Sequence, residues 1–232
     1  MSLAESTPFD PHNVLSFDLE TTSANPHEAR IVTSALVEIS HTGAHPREML
    51  ADPGVEIPAA ATKIHGISTE KARAEGRDHA EVLAETIASI YKAWDEGKTL
   101  IVYNAAFDLT VLHTLEPSFV VQGCVYDPFV LDKVWDPYRK GKRTLAAVCK
   151  HYGVNLDNAH EATADALAAA RVAWMQAKQE QFFASTLQNM PRGELMEVQA
   201  VGYYEMQERL IEYKKSQGLK ISDINLSWPI AL

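Results

Sequence analysis

From Val14 to Thr22 the side chains alternate: Leu15, Phe17 and Leu19 point one way, and Val14, Ser16, Asp18 and Glu20 the other. That period of two predicts a strand. A polar turn over Ser23 to Arg30 with Pro26 leads to a second apolar run, Ile31 to Ile39, and Thr42 to Ala44 closes a hairpin onto a third strand around Arg47 to Ala51. Asp52-Pro53-Gly54 is strong turn chemistry and ends it. Three strands with short connections predict an antiparallel meander. The segment Ile57 to Ile67 shows no regular periodicity and reads as a loop. The period then changes. Val82, Leu83, Thr86, Ile87, Ile90, Tyr91 and Trp94 sit at helical spacing, so a helix is predicted from His79 to Trp94, with Gly97 placed to stop it.

Leu100 to Tyr103 reads as a buried strand, followed by Asn104 to Asp108 and a short helix through Leu115. Another strand and helix run from Cys124 to Val134, a helix from Thr144 to Tyr152 ends at Gly153, and an alanine-rich helix runs from Thr163 to Gln181. Strands alternating with helices after a meander predict an α/β domain with a mixed sheet. Beyond Pro191 a long charged helix extends to Gln217-Gly218 with an apolar stripe of Leu195, Val198, Met206, Leu210 and Tyr213, and the apolar end around Trp228 is expected to dock. The expected division is a domain over 12–180 and a C-terminal helical extension over 181–232, packed on the domain or on a partner.

Composition narrows the class. With 232 residues, 46% of them hydrophobic and 22% charged, the chain is long enough for a full core. Its net charge of −10 argues against broad adhesion to duplex nucleic acid, although bound cations and a local basic loop can still hold one phosphate. The basic loop is Arg139-Lys140-Gly141-Lys142-Arg143, whose alternative is a solvated turn. Cys124 and Cys149 form no Cys-x-x-Cys pair and lie in apolar surroundings, as reduced thiols do. No apolar run approaches the ~20 residues that span a bilayer. The N-terminus lacks a basic region followed by an apolar stretch, so cytoplasmic residence and no membrane partner are expected.

The chemistry lies in the acids. Asp18 and Glu20 on one face of an apolar strand repel each other and lose hydration, a cost that a divalent cation offsets. Two acids at a frayed strand end are the ordinary alternative. Asp108 follows Asn104 just past a buried strand, where open sheets present ligand-binding groups. Asp165 sits at the start of the alanine-rich helix, where an acid also serves the dipole. His160, five residues earlier, converges with Asp165 only if it lies in the turn entering that helix, because on one helix the two would diverge by about 140°.

Taken together, Phe-Asp-Leu-Glu-Thr-Thr, Lys-Ile-His-Gly-Ile, Tyr-Asn-Ala-Ala-Phe-Asp and His-Glu-Ala-Thr-Ala-Asp resemble, in order and spacing, the motifs of the DEDDh 3′–5′ exonuclease superfamily, most closely the proofreading epsilon subunits of bacterial DNA polymerase III. The resemblance covers about residues 12 to 180. It implies a ribonuclease H-like fold, with a central mixed sheet flanked by helices. It implies two Mg²⁺ or Mn²⁺ ions held by Asp18, Glu20, Asp108 and Asp165, with His160 as general base. Thr21, His65, Gly66, Ile67, Asn104 and Phe107 would contact substrate, Ile67 offering an apolar surface to a base. Ser23 stands where the family often has glycine. The implied activity is release of nucleoside 5′-monophosphates from single-stranded or frayed DNA 3′ ends, in proofreading or repair, with a DNA polymerase subunit as partner. The alternatives are an exoribonuclease of the ribonuclease T or oligoribonuclease type, with the same metal and base residues, and a non-catalytic scaffold module of a polymerase complex.

Overall fold

The structure is a computed structural model that describes residues 6–156, 159–178, 186–187, 189–222 and 224–231. Strands β1 (Val14–Thr21), β2 (Ile31–Ser40) and β3 (Gly43–Asp52) form the expected antiparallel meander. The third strand begins earlier than its apolar residues suggest, because Gly43 to Glu48 pair with β2 while remaining exposed. With β4 (Arg77–Asp78), β5 (Thr99–Ile101) and β6 (Val125–Tyr126) they make a six-stranded mixed sheet in the order β4-β3-β2-β1-β5-β6. Helices flank it, as the resemblance implies.

The stretch Ile57 to Ile67, expected to be a loop, holds a helix, and a second helix follows it. Helices α1 (Ala59–His65) and α2 (Thr69–Glu75) are each two turns long, too short to show a full apolar period, and α1 buries none of its residues. Gly66 ends α1 at φ +75°, a left-handed conformation that glycine adopts without steric cost. Helices α3 (His79–Asp95) and α4 (Ala105–Leu115) pack on the face of β1 that carries Leu15, Phe17 and Leu19. His79 is buried at the start of α3 and its Nε2 accepts the amide of Ile31 at 3.1 Å. Helices α5 (Pro128–Trp135), α6 (Leu145–Tyr152) and α7 (Ala162–Lys178) follow. The far end predicted for α7, with the 180/181 boundary, lies outside the described residues. Alanines 162, 166, 169, 170 and 173 are buried, and such small side chains let α7 lie close to the sheet, where Ser16 Oγ donates to the Ala166 carbonyl at 2.6 Å. Both faces of β1 are therefore covered.

Helix α8 (Arg192–Ser216) is the long charged helix, but its expected stripe is only partly buried. Leu195, Gln199 and Tyr203 face inward, whereas Leu210 and Tyr213 are 39% and 61% exposed. The helix runs past the end of the core that could cover them. The chain end docks as expected, with Trp228 and Ala231 buried and the Ala231 amide donating to Thr110 Oγ1 at 2.7 Å. Leu195→Ala is expected to cost about 2 to 5 kcal/mol in chemical denaturation, and Leu210→Ala to stay within about 0.5 kcal/mol. Equal losses would mean that the distal half of α8 also carries stability. Both cysteines are free and buried. Among the described residues no helix is long and apolar enough to cross a membrane.

Candidate active site

Five elements bring the predicted residues together. Asp18 and Glu20 leave β1 on the face covered by α7, and a register shift between Glu20 and Thr21 ends the regular ladder there. Bulges of this kind re-aim side chains. Parallel pairing of β1 with β5 stops at Ser16 opposite Ile101, and beyond it the Leu19 amide donates to Asp108 Oδ1 at 3.1 Å. Asp108 thus comes from the first turn of α4 to the edge of β1, rather than serving as an ordinary helix-start acid. Asp165 stands in the first turn of α7. His160 lies in the preceding turn at φ +71°, and its amide donates to the Asp165 carboxylate at 3.3 to 3.4 Å. The turn supplies the convergence that a continuous helix could not.

Asp18, Glu20, Asn104, Phe107, Asp108, His160 and Asp165 all line one cavity of about 350 Å³. One carboxylate oxygen each from Asp18, Glu20 and Asp165 lie within 4.8 Å of one another, close enough to share a cation. Asp108 stands beside that trio, buried, with one oxygen engaged by Leu19. Oxygen donors of this kind and number suit a hard divalent ion.

Burial, with mutual repulsion at Asp18, Glu20 and Asp108, raises the affinity of these acids for protons. Burial, then the charges of Asp108, Asp165 and Glu20, raises the Asp18 carboxyl well above its usual range. Burial with Asp165 and Glu48 takes Glu20 up to about 7. Burial also raises Asp108 and Asp165, against the Leu19 and His160 amides that favour their ionised forms. Between about pH 4.5 and 7 the folded chain therefore holds protons at Glu20 that the unfolded chain has released, so this residue subtracts stability as pH rises through that window. His79, lowered to about 4 chiefly by burial, acts in the opposite sense over an overlapping window. Melting in EDTA and in excess Mn²⁺ separates the two, because only the acids bind the ion. The stabilisation by Mn²⁺ is expected to grow from pH 5 to pH 7.5, by on the order of 1 to 2 kcal/mol for Glu20 after allowance for solvent screening. A gain independent of pH would detach the cation from these carboxylates.

The remaining predicted residues lie nearby but do not line that cavity. His65, Gly66 and Ile67 form the end of α1; the Ile67 amide donates to His65 Nδ1 at 3.2 Å, and Ile67 packs against Val32, Ile57 and Ala72. Ile64, by contrast, is 57% exposed. Burial lowers the His65 imidazole, with the Thr21 backbone pulling the other way. Thr21 Oγ1 donates to the Ser23 carbonyl at 2.9 Å, and Ser23 Oγ accepts the Asn25 amide at 3.0 Å, so the turn forms without glycine. In the basic loop, Arg139 and Arg143 both bind the buried Asp132, which makes them braces as well as charges.

Two residues escaped the sequence reading. Asp127 is fully buried and accepts the amides of Asn104 at 2.9 Å and Ala105 at 2.8 Å, together with the Trp228 indole at 3.3 Å. Its own amide donates to Gln199 Oε1 at 2.6 Å. The turn carrying Asn104, itself at φ +65°, is thereby tied to α8 and to the chain end. Asp127 followed by Pro128 at a strand end was the available signal, an N-cap before a first-turn proline. Glu48 is the other: Asp18 pairs with Ala35 and Ala35 with Glu48, placing the two acids in one cross-strand row separated by a small side chain. Thr163 holds Glu48 from α7.

A family model described as Exonuclease (RNase T) matches residues 15–173. The chain is 37% identical over 137 residues to the DNA polymerase III subunit epsilon-like protein of Rhodobacter capsulatus, covering 57% of this chain and 18% of that one. It is 31% identical over 149 residues to DNA polymerase III subunit epsilon of Rickettsia prowazekii, covering 60% of this chain and 61% of the relative. The fold is similar to that of E. coli exonuclease I in complex with a dT13 oligonucleotide, with a TM-score of 0.61, 19% identity, and coverage of 75% of this chain and 42% of that one. The chain thus spans less than two thirds of the length of each of these relatives. With well over half of its length matched, and with four acids and a histidine of the expected motifs on one cavity, the protein belongs to the RNase T exonuclease family.

Proposed function

We propose that the protein is a cytoplasmic, metal-dependent 3′–5′ exonuclease that releases nucleoside 5′-monophosphates from single-stranded or frayed DNA 3′ ends, in proofreading or repair and beside a DNA polymerase subunit. The observation that carries this reading is the convergence of Asp18, Glu20, Asp108, Asp165 and His160 on one cavity, with three carboxylate oxygens within 4.8 Å. In this reading residues 12–180 are the catalytic domain, and 181–232 an extension that braces it through Gln199 and Trp228. Asp18, Glu20, Asp165 and Asp108 would hold two Mg²⁺ or Mn²⁺ ions, which when bound would acidify a water and offset the charge that develops on the phosphate. His160 takes the proton of the attacking water. A bond forms from that oxygen to the terminal phosphorus, the bond to the 3′ oxygen breaks, and solvent returns a proton to the leaving oxygen. Asn104 and Phe107 on the same wall hold the terminal nucleotide in line. His65, Gly66, Ile67 and Thr21, at the neighbouring end of α1 and β1, meet the base.

DNA is favoured over RNA because the named relatives are DNA polymerase III subunits. Matched DNA and RNA oligonucleotides with labelled 5′ ends, incubated with Mg²⁺ or Mn²⁺, test it. A ladder of labelled DNA shortened from the 3′ end is expected. Faster shortening of RNA would move the assignment to an exoribonuclease, and intact ends on both would leave the scaffold reading.

A further inference from the structure

A groove of about 700 Å³ runs between the loop joining α5 to α6 and the inner side of α8. It adjoins the carboxylate cavity, since Phe129, Arg143 and Thr144 line both. Its charge is opposite to that of the chain. Lys133, Arg139, Lys142, Arg143 and Arg209 line it, against Glu205 within it and Asp132 and Asp136 beside it, so positive charge exceeds negative by two in a protein whose net charge is −10. Arg139 and Arg143 share one oxygen of Asp132, Oδ2, and Arg139 also reaches Asp136 at 3.6 Å, so the surplus charge of the groove lies on its lysines. Arg143 also donates to the carbonyls of Asp132, Asp136 and Arg139, fixing the loop in place. Lys133 Nζ lies 4.6 Å over the Phe129 ring, and burial with the Arg143 charge lowers its affinity for a proton, as befits an ammonium among cations.

The other wall depends on a glycine. A Cβ on Gly202 would lie 2.2 Å from Val134 Cγ2, so only glycine lets α8 cross α5 closely enough to present Met206 and Arg209 to the groove. Between Pro137 and Arg139, which both line the groove, Tyr138 is 92% exposed. A fully exposed tyrosine beside a basic track offers a stacking face, and cationic grooves with interleaved aromatics are how single strands are held without regard to sequence.

We propose that this groove is a substrate subsite built by α8: it binds the upstream backbone of a single-stranded polynucleotide whose 3′ end occupies the carboxylate cavity, with Tyr138 stacking on a base. The inference rests on the nuclease reading but is tested without turnover. Lys133 and Lys142 take the phosphates, Arg209 joins them from its pairing with Glu205 at 3.2 Å, and Arg139 and Arg143 hold the loop. The role of the extension is then to lengthen the binding track as well as to brace the core.

Anisotropy of 5′-labelled oligothymidylates bound to the full chain in EDTA tests it. The combined variant Lys133→Gln, Lys142→Gln, Arg209→Gln is expected to weaken a dodecamer about tenfold or more at moderate salt, and to reduce the slope of log affinity against log salt by about 2. A dinucleotide should change by less than about twofold, because too few phosphates reach the groove. Tyr138→Ala should weaken the dodecamer about fivefold or more but leave an abasic dodecamer unaffected. Equal loss for both lengths, or none for either, would overturn the subsite. So would polyglutamate competing as well as the dodecamer while Tyr138→Ala is silent, since the groove would then be a general anion surface. Failure of all hydrolysis in Mn²⁺ would remove the exonuclease reading, and the length dependence of binding would still decide the groove.

Discussion

Asp18→Asn is expected to lower exonuclease turnover by about 10³-fold or more, and to weaken Mn²⁺ binding in calorimetric titration in parallel. The amide keeps the shape of the side chain and one oxygen but removes the charge at the centre of the cluster. Burial, then the charges of Asp108, Asp165 and Glu20, makes ionisation of Asp18 costly. The same substitution should therefore raise the melting temperature of the metal-free protein at neutral pH, since one member of a desolvated, mutually repelling set is gone. Opposite signs for activity and metal-free stability are the signature of a site whose strain is relieved only by its ligand. If the variant is less stable without metal and still binds Mn²⁺ as tightly, Asp18 is a structural acid and the cation lies elsewhere.

The sheet was legible because its strands keep strict alternation where one face is buried by large apolar side chains. On β1, Leu15, Phe17 and Leu19 against Ser16, Asp18 and Glu20 sort into two faces by eye, and the structure buries them as two faces. The outer half of β3 was not legible. Gly43 to Glu48 are exposed, so the ladder with β2 defines them and burial does not. Helices α1 and α2 escaped for a related reason: two turns that bury at most two residues leave no period to read. The stripe on α8 misled in the other direction, since spacing along a helix says nothing of where the core beneath it ends.

At the site, residues carried by short motifs were legible and residues that act through the backbone were not. Asp18, Glu20, Asp108, His160 and Asp165 announce themselves by type and spacing. Asp127 gives no such sign, for its work is to accept amides from a turn 22 and 23 residues earlier in the chain. Gly202 likewise looks like a defect in a helix until the crossing with α5 is known. The basic loop shows why a charge run is an incomplete statement. Its two arginines turn inward to Asp132 and its two lysines remain exposed, and only the fold divides the four.

His160→Gln is expected to separate proton transfer from metal binding. His160 touches the cluster through its main chain, with its amide on Asp165, so replacement of its side chain leaves that bond and all four carboxylates in place. Mn²⁺ affinity should consequently stay within about threefold of the parent, a change of less than 1 kcal/mol. Turnover should nevertheless fall by on the order of 10² to 10⁴, the usual worth of a positioned general base. His160 is exposed in a turn rather than packed in a helix, so the loss cannot be assigned to a collapsed core, and an unchanged melting temperature should accompany it. The left-handed backbone at φ +71° adds a second comparison. His160→Gly relieves that conformation while removing the imidazole, so it should lose turnover to the same degree as His160→Gln if the ring is the base. Were His160→Gln to turn over as fast as the parent, with His160→Gly alone impaired, the residue would act by shaping the turn that holds Asp165, and the attacking water would have to lose its proton to another group.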